Sequence, residues 1–233
     1  MEYPDEISEF NERIRSAVSG KPPLERRIWV TSLSHCLRRT ALSIYLNTYN
    51  PSRSWEARIG SALHGWLGDV VKGAEFEVPV EYDLGNGWSL AGKADAVKGD
   101  YVLEFKFRGF DAKDTAENGT KRKKNRDLEH AEPLKEWVEQ LNAYLGMLGK
   151  ERGYIYIFDR NGLEFRVFPV EFNRNLFRRF IMRAKRVIEA VEELEEGKFP
   201  TWIKMVGNKK WVCNSCPFRP ICASIDMEWL KPK

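Results

Sequence analysis

Apolar residues recur at helical spacing in two long segments of the 233-residue chain. The stripes are Ile59, Leu63, Trp66, Leu67 and Val70 within residues 58–71, and Leu134, Trp137, Val138, Leu141, Leu145 and Leu148 within residues 133–149. Because a helix repeats every 3.6 residues, each stripe predicts an amphipathic helix that faces a core. Three further helices are predicted at residues 4–18, 34–49 and 173–196, the last of them ended by Gly197.

Five shorter segments predict strands. They are residues 75–82, 88–98, 101–107, 154–158 and 164–170, and an Asn161-Gly162 turn leads into the last one. The chain has no internal repeat and no linker long enough to divide it. The sequence therefore predicts a single α/β domain with a mixed sheet flanked by helices.

The second and third of these strands are joined by Gly99-Asp100, and Gly at the first position of a two-residue loop is typical of a type II′ hairpin. Counting outward from that loop gives the pairs Lys98–Tyr101, Val97–Val102, Ala96–Leu103, Asp95–Glu104 and Lys93–Lys106. The Cβ atoms of Asp95 and Glu104 are then expected about 5 Å apart. Like charges facing each other destabilise a sheet, so this pattern indicates that a divalent cation neutralises the two acids.

Strand periodicity places Glu104 and Lys106 on one face, with Phe105 and Phe107 buried on the other. Two carboxylates are hard oxygen ligands that favour Mg²⁺ or Mn²⁺, and such a metal lowers the pKa of a bound water. Lys106 would orient that water or stabilise developing negative charge. The alternative interpretation is an exposed hairpin whose Asp, Glu and Lys are only solvated.

The four cysteines form a second constellation. Three of them, Cys213, Cys216 and Cys222, follow a C-x2-C-x5-C spacing, and Cys36 is the only further cysteine that could complete a four-thiolate site. The sequence shows no signal-peptide segment, so a reducing compartment is expected and disulfides are not. An iron–sulfur cluster or a structural Zn²⁺ would satisfy this ligand count.

Composition adds limits to these predictions. A hydrophobic content of 42% supports a full core, and no apolar run reaches the roughly 20 residues that span a bilayer, so a cytoplasmic protein is expected. The net charge of +4 is modest, but Lys121, Arg122, Lys123 and Lys124 are consecutive. They lie in residues 109–133, which are predicted to form a mobile loop beside the active site. The run would hold phosphates electrostatically, or it is a solvated charge run.

Asp95 followed by Glu104-Phe105-Lys106 resembles the signature of PD-(D/E)XK nucleases, with Ala94 where the family name has Pro. The Gly60-x3-His64 and Gln140-x3-Tyr144 patterns resemble motifs of the RecB-type branch. The four cysteines resemble the iron–sulfur subset of that branch, which includes the CRISPR-associated exonucleases of the Cas-four family. The resemblance extends from residue 31 to residue 222.

This resemblance implies a restriction-endonuclease-like fold with one RecB-like nuclease domain over residues 1–233. Its catalytic core would span residues 59–170, and residues 31–58 with 200–226 would form a cluster lobe. The implied metal ligands are His64, Asp95, Glu104 and the Phe105 carbonyl, and the implied cluster is [4Fe-4S] on Cys36, Cys213, Cys216 and Cys222.

The resemblance also implies an activity. Lys106 would be catalytic, and Gln140 and Tyr144 would hydrogen-bond the attacking water, the lysine or a phosphate. The alternative interpretation of these two residues is ordinary polar packing at a helix edge. The substrate would be DNA, cut as an exonuclease from single-stranded ends, in CRISPR spacer acquisition with integrase proteins. A stand-alone RecB-like repair nuclease and a non-catalytic iron–sulfur nucleic-acid-binding module are the alternatives.

Overall fold

The computed structural model describes residues 26–34, 36–47, 55–108, 133–159, 164–203, 213 and 216–225. The elements in chain order are β1 (Arg27–Trp29), α1 (Val30–Leu33), α2 (Leu37–Tyr45), α3 (Trp55–Val70), β2 (Glu75–Gly85), β3 (Trp88–Lys98), β4 (Tyr101–Arg108), α4 (Lys135–Leu148), β5 (Arg152–Asp159), β6 (Phe165–Glu171), α5 (Arg174–Glu195) and α6 (Arg219–Ile225). Among these helices, none is both long enough and apolar enough to cross a bilayer.

The six strands form one mixed sheet centred on β3. Antiparallel β2 pairs with one edge of β3 along nearly its whole length. The other edge is shared: parallel β1 pairs with residues 89–91, and antiparallel β4 pairs with residues 96–98. Beyond β4 the sheet continues with parallel β5 and antiparallel β6. Residues 92–95 of β3 therefore lie between the end of the β1 ladder and the start of the β4 ladder.

Helices cover both faces of this sheet, which confirms the predicted α/β class. The main core joins one face to α1, α2, α4 and α5, and includes Trp88, Leu141, Tyr144 and Phe180. The opposite face carries a smaller aromatic cluster around Phe105 and Phe158, onto which Leu67 of α3 packs.

Most of the predicted elements are confirmed, with shifted ends. The hairpin loop has φ +58° at Gly99 and no positive φ at Asp100, as a type II′ turn requires. Gly197, with φ +76°, follows the end of α5 as predicted. The helix predicted at residues 34–49 begins later, because Cys36 is extended and serves as the N-cap of α2. The predicted helix at residues 4–18 and the Asn161-Gly162 turn lie outside the described residues.

The stripe predicted for α3 is wrong in part. Leu67 is buried, but Trp66 is 43% exposed and Val70 is 52% exposed. These side chains stay exposed because the described part of α3 packs on the small aromatic cluster and not on the main core. The apolar stripe in the sequence therefore predicts a wider buried face for α3 than the structure shows.

Candidate active site

The centre of the site is an irregularity in β3 at Asp95. Ala94 belongs to the main core, whereas Ala96, two residues later, belongs to the smaller cluster on the opposite face. Residues two apart in a regular strand share a face, so the alternation reverses at Asp95. The neighbouring strand changes at the same place: Phe76 pairs with Ala96 and Val78 pairs with Ala94, and the intervening Glu77 has φ +54°.

This irregularity overturns part of the predicted hairpin register. The pairs of Lys98, Val97 and Ala96 occur as predicted, but the β3–β4 ladder ends at Ala96–Leu103, and Asp95 and Glu104 are not ladder partners. Asp95 Oδ2 instead accepts a hydrogen bond from the Phe105 backbone N–H at 2.7 Å. The Asp95 carboxylate thus takes the place of the backbone hydrogen bond that would continue the ladder. The sequence pattern predicts the turn correctly, but it contains no signal that β3 changes faces at Asp95.

The predicted position of Lys93 is also wrong. Its ladder partner is Pro79 on β2, not Lys106 on β4. The Lys93 Nζ lies 2.6 Å from a carboxylate oxygen of Glu77, and both side chains are exposed. A regular register would have placed Lys93 opposite Lys106, with repulsion between them. The β3–β4 ladder ends at Ala96, so the two lysines do not face each other.

Glu104 lies at the middle of a buried polar network. Its side chain is fully buried, and its Oε1 accepts hydrogen bonds from Lys106 Nζ and, at 2.8 Å, from Gln140 Nε2. The Gln140 Oε1 in turn accepts from Lys106 Nζ at 3.3 Å. Glu104 and Lys106 share a face as predicted, while Phe105 is buried on the other side. Gln140 of α4 is therefore hydrogen-bonded to both charged residues of β4, Glu104 and Lys106.

Burial and charge set the protonation of this network. Burial, with the nearby negative charge of Asp95, raises the pKa of Glu104 to about 7, although Lys106 opposes the change. Burial alone would lower the pKa of Lys106, but the negative charges of Glu104 and Asp95 raise it on balance. Lys106 is therefore a firmly protonated ammonium. Such a group can stabilise negative charge in a water-poor site.

His64 approaches the same site from α3, on the opposite side of Asp95. Its Nδ1 lies 3.4 Å from Asp95 Oδ1, and its ring is 5.4 Å from the Phe107 ring between centroids. Burial lowers the pKa of His64, but the hydrogen bond and charge of Asp95 outweigh burial and raise it. The two oxygens of Asp95 thus contact groups from two elements, the imidazole on α3 and the backbone of β4.

Tyr144 completes the group from α4, one turn after Gln140. Its hydroxyl hydrogen-bonds to the Gln140 side chain and to the Lys93 backbone, and burial with the charges of Glu104 and Asp95 raises its pKa far above the usual range. The ring lies against Gly92, where an added Cβ would be only 2.7 Å from Tyr144 Cε1. Gly92 was not predicted from the sequence to be part of the site. Its one signal in the sequence is its place inside a strand, because strand glycines often mark the close approach of another group to the backbone.

The residues of this site fit a hard divalent cation. Glu104 Oε2 is buried and has no hydrogen-bond partner among the described residues, which is costly for a carboxylate oxygen unless a cation compensates it. Asp95 and His64 lie beside it and supply further oxygen and nitrogen donors. The described residues contain no group of three His, Cys, Asp or Glu side chains arranged to hold a metal ion. Asp95 and Glu104 each accept hydrogen bonds from groups of the protein in this arrangement.

The cysteines lie in a separate part of the molecule. Cys36, Cys213 and Cys222 are buried, Cys216 is partly buried, and all four are free. Burial, followed by electrostatic interaction with the nearby Cys36 and Cys216 side chains, raises the pKa values of Cys213 and Cys222, which places the thiols in one region of the molecule. A turn joins Cys213 to Cys216 through a backbone hydrogen bond of 3.2 Å. Thiolates are the usual ligands of iron–sulfur clusters and of structural Zn²⁺, but no three side chains of these described cysteines are arranged to hold a metal ion in this structure.

The last predicted group is the basic run Lys121, Arg122, Lys123 and Lys124. It lies outside the described residues. The structure brings together six of the sequence-predicted side chains on four elements. They are His64 on α3, Asp95 on β3, Glu104 and Lys106 on β4, and Gln140 and Tyr144 on α4.

Comparison with known proteins identifies the class to which this arrangement belongs. The model of the PD-(D/E)XK nuclease superfamily matches residues 38–223, and the chain belongs to that superfamily. No curated protein matches the sequence.

Solved structures resemble the fold. The crystal structure of SSO0001 is 22% identical with a TM-score of 0.56, and the alignment covers 93% of this chain and 96% of that one. An alkaline exonuclease, LHK-Exo from Laribacter hongkongensis, is 8% identical with a TM-score of 0.51, covering 75% of this chain and 92% of its own. The same exonuclease in complex with dAMP gives 10% identity and a TM-score of 0.50, covering 74% of this chain and 91% of that one.

Proposed function

We propose that this protein is a divalent-metal-dependent DNA exonuclease that hydrolyses phosphodiester bonds at single-stranded ends. The observation that carries the proposal is the buried Glu104–Lys106–Gln140 network beside Asp95, with one oxygen of Glu104 left without a partner. Membership of a nuclease superfamily supports hydrolysis, and the likeness to an alkaline exonuclease supports attack from an end.

Each residue of the site has a chemical role in this proposal. Asp95, Glu104, His64 and the Phe105 carbonyl would hold Mg²⁺ or Mn²⁺, which neutralises phosphate charge and lowers the pKa of a bound water. Lys106 is catalytic: its ammonium stabilises the negative charge that develops on the phosphate. Gln140 orients Lys106 and Glu104, and Tyr144 holds Gln140. The consecutive cations Lys121, Arg122, Lys123 and Lys124 are proposed to contact the DNA backbone.

We further propose that Cys36, Cys213, Cys216 and Cys222 bind a [4Fe-4S] cluster. Residues 31–58 and 200–226 would form the lobe around it, and residues 59–170 the catalytic core of a single domain over 1–233. The shared neighbourhood of the four thiols supports this assignment. The cysteine pattern also underlies the proposed role, which is trimming DNA for CRISPR spacer acquisition together with integrase proteins in the cytoplasm.

The activity is tested by digesting end-labelled single-stranded and duplex DNA with Mn²⁺, with Mg²⁺, and with a chelator. We expect progressive shortening of single-stranded DNA that needs a metal, and none with Asp95→Ala, which removes an anionic ligand. Covalently closed single-stranded circles are the matched control, because an exonuclease leaves them intact. Metal-independent shortening, or full activity of Asp95→Ala, would contradict the proposed mechanism.

A further inference from the structure

Helix α5 carries its charges in two blocks. Its first thirteen residues contain six cations and no acid: Arg174, Arg178, Arg179, Arg183, Lys185 and Arg186. The rest of the helix contains acids and no cation: Glu189, Glu192, Glu193 and Glu195. A helix whose surface charges served only to keep it soluble would mix the two signs, and its opposite charges would pair at i, i+4.

This arrangement opposes the electrostatics of the helix itself. The amino end of a helix is electropositive and favours acids, and the carboxyl end favours bases, whereas α5 has no acid in its first turn and no base in its last. The like charges of Arg174 and Arg178 also stand four residues apart, a spacing that destabilises a helix. Two separate electrostatic terms thus disfavour the basic block, which points to a use outside the folding of the helix.

The cations of this block differ in their surroundings. Arg183 is bound within the protein, pairing with Glu139 at 3.0 Å, and the Arg186 guanidinium lies 5.2 Å from the centre of the Trp202 ring. The remaining four are exposed and form no ion pair with any residue in the described ranges: Arg174, Arg178, Arg179 and Lys185. Three of them lie on one side of the helix, and we call these three residues, Arg174, Arg178 and Lys185, the α5 basic face.

The α5 basic face is an extended surface. At 100° per residue, Arg174, Arg178 and Lys185 fall within about 40° of one another around the helix. They extend over about 17 Å along its axis, the length of about five base-pair steps of DNA. The apolar side chain of Met182 lies beside this row and is 60% exposed. A row of unpaired cations of this length complements a chain of phosphates.

We propose that the α5 basic face binds the phosphate backbone of DNA outside the catalytic site. This inference rests on the proposed nuclease function, since it assigns a second contact for the same substrate. The ion pair between Arg183 and Glu139 ties α5 directly to α4, and Glu139 precedes Gln140 of the catalytic network. At 100° per residue, Arg183 lies about 140–180° around α5 from the row of cations, so the ion pair with α4 fixes α5 with its basic face turned toward solvent. DNA bound there would be held on a surface separate from the catalytic network.

The test measures DNA binding separately from cleavage. In the Asp95→Ala background without metal, fluorescence anisotropy of a labelled single strand is recorded over a range of salt concentrations. The test variant adds Arg178→Gln and Lys185→Gln. The matched control adds Lys72→Gln and Lys98→Gln, which remove the same charge. Lys72 follows α3, and Lys98 is paired with Tyr101 on the sheet face that α3 covers, so both lie away from α5.

We expect the test variant to bind about tenfold more weakly at low salt, and the slope of log affinity against log salt to fall in magnitude by about 1.4, or 0.7 for each lost phosphate contact. The control should match the parent. Arg178→Gln removes the like-charge pair with Arg174, and Lys185 is an exposed side chain, so the melting temperature should stay unchanged or rise and weaker binding would not reflect unfolding.

Equal slopes and affinities for the test variant and the parent would overturn the inference, as would a parent that binds no DNA. The proposed function fails by a different result, namely no metal-dependent cleavage by the unmodified protein. Normal metal-dependent cleavage together with DNA binding that does not depend on the α5 basic face would contradict this inference and leave the proposed function intact.

Discussion

Glu104 is the residue on which the proposed chemistry depends most. It is fully buried, it accepts hydrogen bonds from Lys106 and Gln140, and one of its oxygens has no partner in the described part of the chain. A carboxylate in such a place is stable as an anion only beside positive charge. The ammonium of Lys106 supplies part of that charge, and a divalent cation would supply the rest.

The pKa of this residue makes metal affinity depend on pH. With the pKa of Glu104 near 7, its proton must leave before the carboxylate can bind a cation. The group is mostly protonated at pH 6 and mostly ionised at pH 8, so Mn²⁺ affinity should rise about tenfold over that interval. The raised pKa of His64 acts in the same direction, because a protonated imidazole is no ligand. Calorimetric titration at the two pH values measures the change, and an affinity independent of pH would contradict it.

Lys106 separates catalysis from metal binding. Lys106→Met removes the ammonium that donates to Glu104 but removes no proposed ligand. We expect cleavage to fall by about a hundredfold or more, as when a group that stabilises transition-state charge is lost. Mn²⁺ affinity should be kept or increased, since a competing positive charge has gone. The pair of measurements is turnover and metal titration, and loss of both together would make Lys106 a structural residue only.

Gly92 is a residue whose importance the sequence did not reveal. Gly92→Ala would place a methyl group 2.7 Å from Tyr144 Cε1, forcing the ring and its hydrogen bond to Gln140 to move. We expect a loss of about 1–3 kcal/mol in the free energy of unfolding, the usual cost of overpacking, and reduced turnover. Gly65→Ala in α3 is the control, because nothing lies within 4 Å of the added methyl group. Denaturant unfolding and turnover of both variants decide the matter.

At the scale of elements, the β3–β4 hairpin shows where sequence prediction succeeds and where it stops. The turn residues Gly99-Asp100 fix three ladder pairs, and these occur as predicted. The next pair does not form because the strand alternation reverses at Asp95, opposite the irregular Glu77 of β2, and turn residues carry no information about that reversal. The residue types and their spacing predict that Asp95, Glu104 and Lys106 form a group. The buried hydrogen bonds to Gln140 could not be predicted in this way, because they depend on how α4 packs against the sheet.

The irregularity in β2 gives a prediction for stability. Glu77 has φ +54°, a left-handed conformation that costs a non-glycine residue energy. Its ion pair with Lys93 is exposed and contributes little. Glu77→Gly should therefore raise the free energy of unfolding by up to about 1 kcal/mol.

Glu81→Gly in the same strand is the matched control. Glu81 has ordinary extended φ, so glycine there should destabilise the strand by about 0.5–1 kcal/mol. Urea denaturation of both variants compares them directly. Two losses of similar size would show that the backbone at Glu77 is not strained.

At the scale of the whole molecule, the cysteines join parts of the chain that are distant in sequence. Cys36 begins α2, and Cys213, Cys216 and Cys222 lie near the carboxyl end. A cluster bound by all four would close a loop of nearly the whole chain. By the loop-entropy estimate used for covalent links, that closure could stabilise the fold by about 5 kcal/mol.

The proposed cluster is tested on anaerobically purified protein. We expect a brown protein with a broad absorption near about 400 nm, whereas bound zinc would leave it colourless. Cys36→Ala should lower iron content and melting temperature together, because one ligand and the closure are lost. Asp95→Ala, in the separate catalytic site, should change neither. Stoichiometric zinc without iron would disprove the cluster.

The shared edge of β3 has a consequence for the order of folding. The β3–β4 hairpin is local and can close early, but β1 pairs with β3 across some sixty residues of chain, and Gln140 arrives from a helix still later in sequence. Long-range pairings of this kind form slowly, because the intervening chain must first be closed into a loop. During synthesis, β1 leaves the ribosome before the two acids, but Gln140 leaves it 36 residues after Glu104. A chain that ended before α4 would therefore contain both acids of the site without the glutamine that hydrogen-bonds Glu104.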